Sequence, residues 1–400
     1  GATQNVVAVK AVNNVPSSRW YSGSGIYRDV TLYALEGLHV DLHGVTVTTP
    51  FIDEGDGTTN VQVAVVNDGE TDVNATVRTT IYSGDMAVGS DEIPVTVRAG
   101  LPGEAELEIA VQNPALWSLE DTNLYTAVTE VLVNGDVVDS CEDTFGYRWT
   151  EWKSTGFYLN GEAVKLNGVC MHHDQGGLGS AAYYDAMYRQ LSIMKDMGAN
   201  AIRTAHNPAD EQYIQICNEI GLLVIEETFD GLVDPKNGNS NDFSKYFEKT
   251  ASAGLYGYEN GMTNAEYAAR SVVKRDKNAA SIIAWSFGNE IQEGTYWNNV
   301  GRYDEICANY ISWVNEEDGT RIVTSGDNNR GGDNRLVDVL NTIINAGGVV
   351  GFNYANSASQ LRDLANRFGG DKGVIIASET ASHTNSRGQY KNQNNNTNSD

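Results

Sequence analysis

The chain has 400 residues, 40% of them apolar and 20% charged, with a formal net charge of −26, which is length enough for two or three domains with cores of their own. With 27 Lys plus Arg facing 53 Asp plus Glu, there is no basic stripe for phosphates, so a nucleic-acid partner is excluded. No apolar run reaches the roughly 18 residues a helical bilayer span needs, and no membrane partner is expected.

Gly1 opens directly on strand-like sequence without an initiator Met, and residues 1–36 read as the tail of a β domain whose body is expected upstream. Val6-Val7-Ala8-Val9 is one predicted short strand and Asp29–Tyr33 another, with a Ser/Gly-rich loop carrying Trp20, Tyr21 and Tyr27 between them. From 37 to 145 short alternating runs are separated by turn residues. Val40–Val47, Val61–Val66 before Asn67-Asp68-Gly69, Ala75–Ile81, and Ala127–Val133 before Asn134-Gly135 predict an immunoglobulin-like β-sandwich. This segment holds 20 acidic residues against Arg78 and Arg98, a surplus that reads as a solubility or salt adaptation, not a substrate code.

After Phe145-Gly146-Tyr147-Arg148-Trp149 strand-like runs alternate with helical stretches. Seven strands are predicted, at 163–169, 199–203, 222–226, 282–286, 322–325, 349–353 and 374–378. The first crossover, 182–197, places Met187, Leu191 and Met194 at helical spacing and stops at Gly198. Repeated strand-helix units imply a parallel sheet with right-handed crossovers, so residues 146–400 read as a (β/α)8 TIM barrel whose last strand is expected beyond Asp400. The cysteines, Cys141, Cys170, Cys217 and Cys307, are widely spaced and read as buried free thiols. A cytoplasmic and a secreted location both remain open.

Two glutamates close short apolar runs, Glu290 after Ser281–Asn289 and Glu379 after Gly373–Ser378. The carboxyl ends of barrel strands are where catalytic residues gather, and a carboxylate pair there is the requirement of glycoside hydrolysis. Asn289 offers an amide to a sugar hydroxyl, and Trp285 and Phe287 offer an apolar wall that would raise the pKa of an acid. Other strand ends carry His172-His173-Asp174, Arg203 to Pro208, Glu226-Glu227 with Asp230, Asp327, and Asn353-Tyr354. Each has a plainer reading: the histidines as loop residues, Tyr354 as a barrel cap, Arg203 as a brace holding carboxylates from behind. No H-E-x-x-H or comparable spacing supports a metal site.

Five motifs in order are similar to glycoside hydrolase family 2: Pro16–Asp29, Phe145–Arg148, Leu166–Asp174, Asn200–Pro208 and Trp285–Glu290. The resemblance implies a remnant of a jelly-roll sugar-binding domain at 1–36, a sandwich at 37–145 and the incomplete barrel. It also implies a retaining mechanism with Glu290 as acid/base and Glu379 as nucleophile. Ser378–Gly388 resembles the bacterial β-galactosidase branch, which implies that Tyr354 hydrogen-bonds the nucleophile and that Asn289, His172, His206 and Asp327 contact the galactose. One branch of the family holds magnesium with a Glu-x-His after strand three. Glu227–Val233 has no such histidine, so no metal and no cofactor are expected. The expected activity is an exo-β-galactosidase acting on a carbohydrate substrate, with a homo-oligomer compatible with the sequence. The rivals are a β-glucuronidase or β-mannosidase of the same family, and an inactive carbohydrate-binding protein.

Overall fold

A computed structural model describes residue 4 and residues 6–17, 25–53, 55–293, 302–355 and 357–380. The sandwich is built from β1 (Leu38–Asp53), β2 (Asp56–Asn67), β3 (Val73–Ser83), β4 (Met86–Val97), β5 (Gly103–Gln112), β6 (Tyr125–Val133) and β7 (Asp136–Phe145). They form two antiparallel sheets in the orders β1-β2-β5 and β4-β3-β6-β7. Strand β5 shows why: Ala105, Leu107, Ile109 and Val111 turn inward, while Glu104, Glu106 and Glu108 alternate outward, the period-two pattern of a sheet with one wet face. The acidity of the segment therefore lies on its solvent side. At the β6–β7 turn, Asn134 and Gly135 both have positive φ, 53° and 91°, as a two-residue hairpin requires.

A small antiparallel sheet follows, β8 (Thr150–Lys153), β9 (Gly156–Leu159) and β10 (Glu162–Val164). Phe157 and Leu159 pack against Ala201, Leu223, Ile283 and Val349, residues at the entry ends of the barrel strands, so the hairpin plugs the barrel floor. This corrects the predicted first barrel strand at 163–169. Its opening residues belong to β10, and the barrel strand itself begins at Gly168. An apolar run of this length suits either sheet, and the partner it finds decides which one it joins.

The barrel strands are β11 (Gly168–Met171), β12 (Ala201–Thr204), β13 (Leu223–Glu227), β14 (Ile282–Asn289), β15 (Ile322–Asp327), β16 (Gly351–Asn353) and β17 (Ile376–Glu379). All seven are parallel and pair in sequence order. The Cys170 thiol on β11 donates to the Ser378 carbonyl on β17 at 3.4 Å, bringing the two ends of the sheet together. Outside lie α1 (Tyr184–Asp196), α2 (Glu211–Ile220), α3 (Asn264–Asp276), α4 (Tyr303–Glu317), α5 (Asn334–Asn345) and α6 (Ala358–Phe368). Met187 and Leu191 on α1 are buried and Met194 packs beside them, as their spacing predicts, and Gly198 beyond the helix takes φ 97°.

Sandwich and barrel meet through polar contacts around a buried indole. Trp117 is fully buried and its Nε1–H donates to the Asn218 carbonyl at 2.9 Å. Arg148 donates to the carbonyls of Ala280 and Ile282 at 2.9 and 2.7 Å. The amino-terminal segment departs from expectation, because no described residue before Leu38 belongs to a strand. Val6, Val7 and Leu32 are exposed: a strand needs an edge to pair with, and no other described segment offers these residues one. Arg28 instead donates to the Pro208 carbonyl at 2.6 Å, laying this segment across the carboxyl-end loops of the barrel.

Candidate active site

The carboxyl ends of the barrel strands converge on one polar cluster. Its centre is Arg203, at the third position of β12, whose guanidinium is almost wholly buried. Nη2 donates to Glu227 Oε2 at 2.6 Å and to Asn289 Oδ1 at 3.0 Å, and Nη1 to Glu379 Oε2 at 3.3 Å. The fork of five N–H donors suits this role, since it can engage several acceptors in fixed directions. Arg203 is thus the brace that the sequence allowed, spanning three strands.

Glu379, the last residue of β17, is held from three sides: Tyr354 Oη donates at 2.7 Å, Asn353 Nδ2 at 3.3 Å, and Arg203 as above. Asn353 Nδ2 also donates to Glu290 Oε1 at 2.8 Å and to Asn289 Oδ1 at 3.0 Å. One amide nitrogen therefore bridges the two strand-end glutamates. The bridged oxygens can be no more than about 6 Å apart, short of the roughly 6.5–9.5 Å typical of inverting carboxyl pairs and consistent with the roughly 5–5.5 Å of retaining ones. Glu290 follows β14 with φ 45°, and Tyr354 follows β16 with φ 58°. These left-handed turns redirect the two side chains where each strand ends.

Glu227, unassigned at the sequence level beyond its strand-end position, is fully buried and orients the rest. It accepts from Arg203, from Ser286 Oγ at 2.7 Å and from His206 Nδ1–H at 2.7 Å. Burial alone would raise its pKa, but Arg203 beside it and the hydrogen bonds from His206 and Ser286 hold it below the ordinary carboxylate value. His206 meets His172 edge to face, ring centroids 5.2 Å apart. The carboxylate of Asp327 accepts from the backbone amides of Asn329 and Gly331 at 2.8 and 3.4 Å, so both oxygens brace the loop after β15. Its pKa is raised by burial.

One expectation about the cleft is corrected. Trp285 and Phe287 do not wall the cleft. A register shift between Ser286 and Asn289 interrupts the alternation of β14, so that both face the barrel interior while Trp285 and Phe287 turn outward into the helix layer. There Trp285 Nε1–H donates to Asp318 at 2.8 Å and Phe287 packs on Tyr310 at 5.2 Å. Asn353 and Asp230, which the sequence places at strand ends without assigning them a role, join the cluster, and so does Lys236, for which the sequence carries no signal. Among the described residues no group of three or more His, Cys, Asp or Glu is arranged to hold a metal ion. Residues 18–24, with Trp20 and Tyr21, and residues 381–388 of the galactosidase-like motif lie outside the described residues.

Burial lowers His172 and His173 to about 4, assisted by His206 and Arg28 respectively. Both are then neutral in the folded protein while an unfolded histidine titrates near 6.5. The unfolded state binds more protons below that value, so stability is expected to fall as pH drops from about 6.5 to 4 and then to level off for these groups. His173→Gln should remove up to about 2 kcal/mol of this loss after solvent screening. Melting temperatures of both proteins across the window test it: parallel curves would show that His173 carries no linkage.

A parallel strand-helix barrel with a carboxylate pair at its carboxyl rim, preceded by a sandwich, is the architecture of barrel glycoside hydrolases. Residues 151–398 match the model for "Glycosyl hydrolases family 2, TIM barrel domain" and residues 39–148 that for "Glycosyl hydrolases family 2". The chain belongs to glycoside hydrolase family 2. It is 32% identical to the β-galactosidase BoGH2A of Bacteroides ovatus, over 97% of this chain and 46% of that protein. Among solved structures it resembles a family 2 member from Bacteroides cellulosilyticus at 31% identity and TM-score 0.78, covering 91% of this chain and 45% of the other. It also resembles Bacteroides uniformis β-glucuronidase 2, bound covalently to cyclophellitol-6-carboxylate aziridine, at 25% identity and TM-score 0.69, covering 86% and 41%. The chain spans about half the length of these relatives.

Proposed function

We propose that the protein hydrolyses terminal β-D-galactosides with retention of configuration. The observation that carries this reading is the pair Glu290 and Glu379, bridged by the Asn353 amide at 2.8 and 3.3 Å. A Glu379 oxygen bonds to the anomeric carbon as the glycosidic C–O bond breaks, and the departing oxygen takes the bond's electron pair and the proton of Glu290. Glu290, now a carboxylate, then takes a proton from water as that water's oxygen attacks the anomeric carbon, releasing galactose and freeing Glu379. Tyr354 and Arg203 hold the Glu379 carboxylate for attack. Asn289, His172 and His206 meet the sugar hydroxyls, and Asp327 contributes at the same rim.

The galactoside specificity is supported by the likeness to BoGH2A and by the motif at 378–388. The likeness to a β-glucuronidase favours glucuronides as the second reading. Mass spectrometry after exposure to 2-deoxy-2-fluoro-β-galactosyl fluoride is expected to find a fluorogalactosyl adduct on Glu379. Turnover of a nitrophenyl β-galactoside should exceed that of the glucuronide by about 100-fold or more, the scale that separates a matched from a mismatched polar substituent. Labelling and turnover by the glucuronide reagents alone would replace the sugar assignment, and an adduct on another residue would replace the nucleophile.

A further inference from the structure

Lys236 lies in the loop between β13 and α3, far in sequence from both glutamates, yet its side chain is almost wholly buried beneath Glu290. An ammonium group has three N–H donors, and here each has an acceptor: Asp230 Oδ1 at 2.8 Å, the Asp230 carbonyl at 3.0 Å and the Asn289 carbonyl at 2.8 Å. The last is the peptide oxygen immediately before Glu290, whose φ of 45° is a conformation an L residue seldom adopts unaided. Asp230 Oδ1 also accepts from Asn289 Nδ2 at 3.4 Å. Asn289 is thus gripped at its carbonyl by Lys236, at its amide nitrogen by Asp230 and at its amide oxygen by Arg203 and Asn353.

The loop that delivers Lys236 is itself fixed. The Lys236 amide donates to Asp242 at 3.0 Å, and Asp234 accepts from the buried Tyr303 hydroxyl at 2.8 Å. Phe229 stacks on Phe243 at 5.9 Å while its carbonyl accepts the Asn289 amide at 3.2 Å. A cation buried this deeply needs a charged partner and full hydrogen bonding to be tolerated. Asp230 supplies the charge, which leaves the other two bonds to orient backbone.

We infer that Lys236 is a positioning residue for the general acid, turning the Asn289–Glu290 peptide so that the Glu290 carboxyl faces the departing oxygen. The inference rests on the functional reading above and concerns one step only, protonation of the leaving group. The attack by Glu379 lies outside it, and the Asn289 side chain keeps its bonds to Arg203 and Asn353 without Lys236.

The test compares Lys236→Met with wild type on two aryl β-galactosides. A 2,4-dinitrophenyl group leaves without a proton, whereas an unsubstituted phenyl group needs one, and kcat/KM reports the step in which it departs. For the phenyl substrate kcat/KM is expected to fall about 100-fold, the scale of a misplaced acid. For the dinitrophenyl substrate it should stay within about 3-fold. Equal losses on both substrates would make Lys236 a merely structural residue and overturn the inference, as would unchanged kinetics on both. Wild type that cleaves neither galactoside nor the matching glucuronides would overturn the functional reading, and the inference with it. Should Lys236→Met melt below the assay temperature, Lys236→Gln, which keeps a donor for one carbonyl, is read by the same two substrates.

Discussion

Replacing Glu379 by alanine is expected to reduce turnover of an aryl β-galactoside by about 10⁴-fold or more, because the covalent intermediate has no other nucleophile to form on. The loss should be chemical, not structural. Glu379 is only partly buried at the rim, and Tyr354, Asn353 and Arg203 keep other partners or solvent when it goes. Added azide sharpens the prediction by assigning roles. With Glu379→Ala, azide occupies the vacated space and attacks from the nucleophile's side, giving a galactosyl azide of inverted configuration. With Glu290→Ala, azide intercepts the intermediate on Glu379 and gives the retained configuration. NMR of the two products checks both roles at once, and exchanged configurations would exchange the assignments.

The second large effect is on stability. Arg203→Leu is expected to cost about 3–5 kcal/mol in urea unfolding, because it strands the Glu227 carboxylate with no cation in a fully buried site. Ser286 and His206 still donate to Glu227, but two hydrogen bonds do not replace the guanidinium contacts at 2.6 and 3.1 Å. Removing the acid as well, in Arg203→Leu with Glu227→Gln, should recover part of the loss, since the uncompensated charge is then gone. A loss below about 1 kcal/mol for the single variant would place Arg203 among ion pairs of surface strength and refute its role as the brace of the cluster.

The barrel was legible because each of its strands is a short apolar run followed at once by polar residues, and that pattern is local. It located Glu290, Glu379, Asn289 and Tyr354 at one rim before any packing was known, with strand ends displaced by one to three residues in most cases. The floor hairpin was less legible. Glu162–Val164 and Gly168–Met171 are near neighbours in sequence, and only Phe157 and Leu159, arriving from the preceding strand to fill the barrel base, separate them into different sheets. The amino-terminal segment differs for the opposite reason: its short runs are strand-like, but a ladder needs a second edge, and no described residue before Leu38 is in a strand.

What the sequence by itself determined is the order of elements, the acidic outer face of the sandwich and the carboxylates at the strand ends, all set by the nearest few residues and their spacing. Only the tertiary structure decided which side each strand end presents. Glu227 turns inward to Arg203 while its neighbour Glu226 turns toward Arg275 in the helix layer, and Trp285 and Phe287 face the helices while Ser286 faces the cleft. The same holds for Lys236, carried under Glu290 by a loop with no local signal. A period-two strand fixes that neighbours point oppositely, but the segments packed on its two faces, distant in the chain, fix which neighbour meets the site.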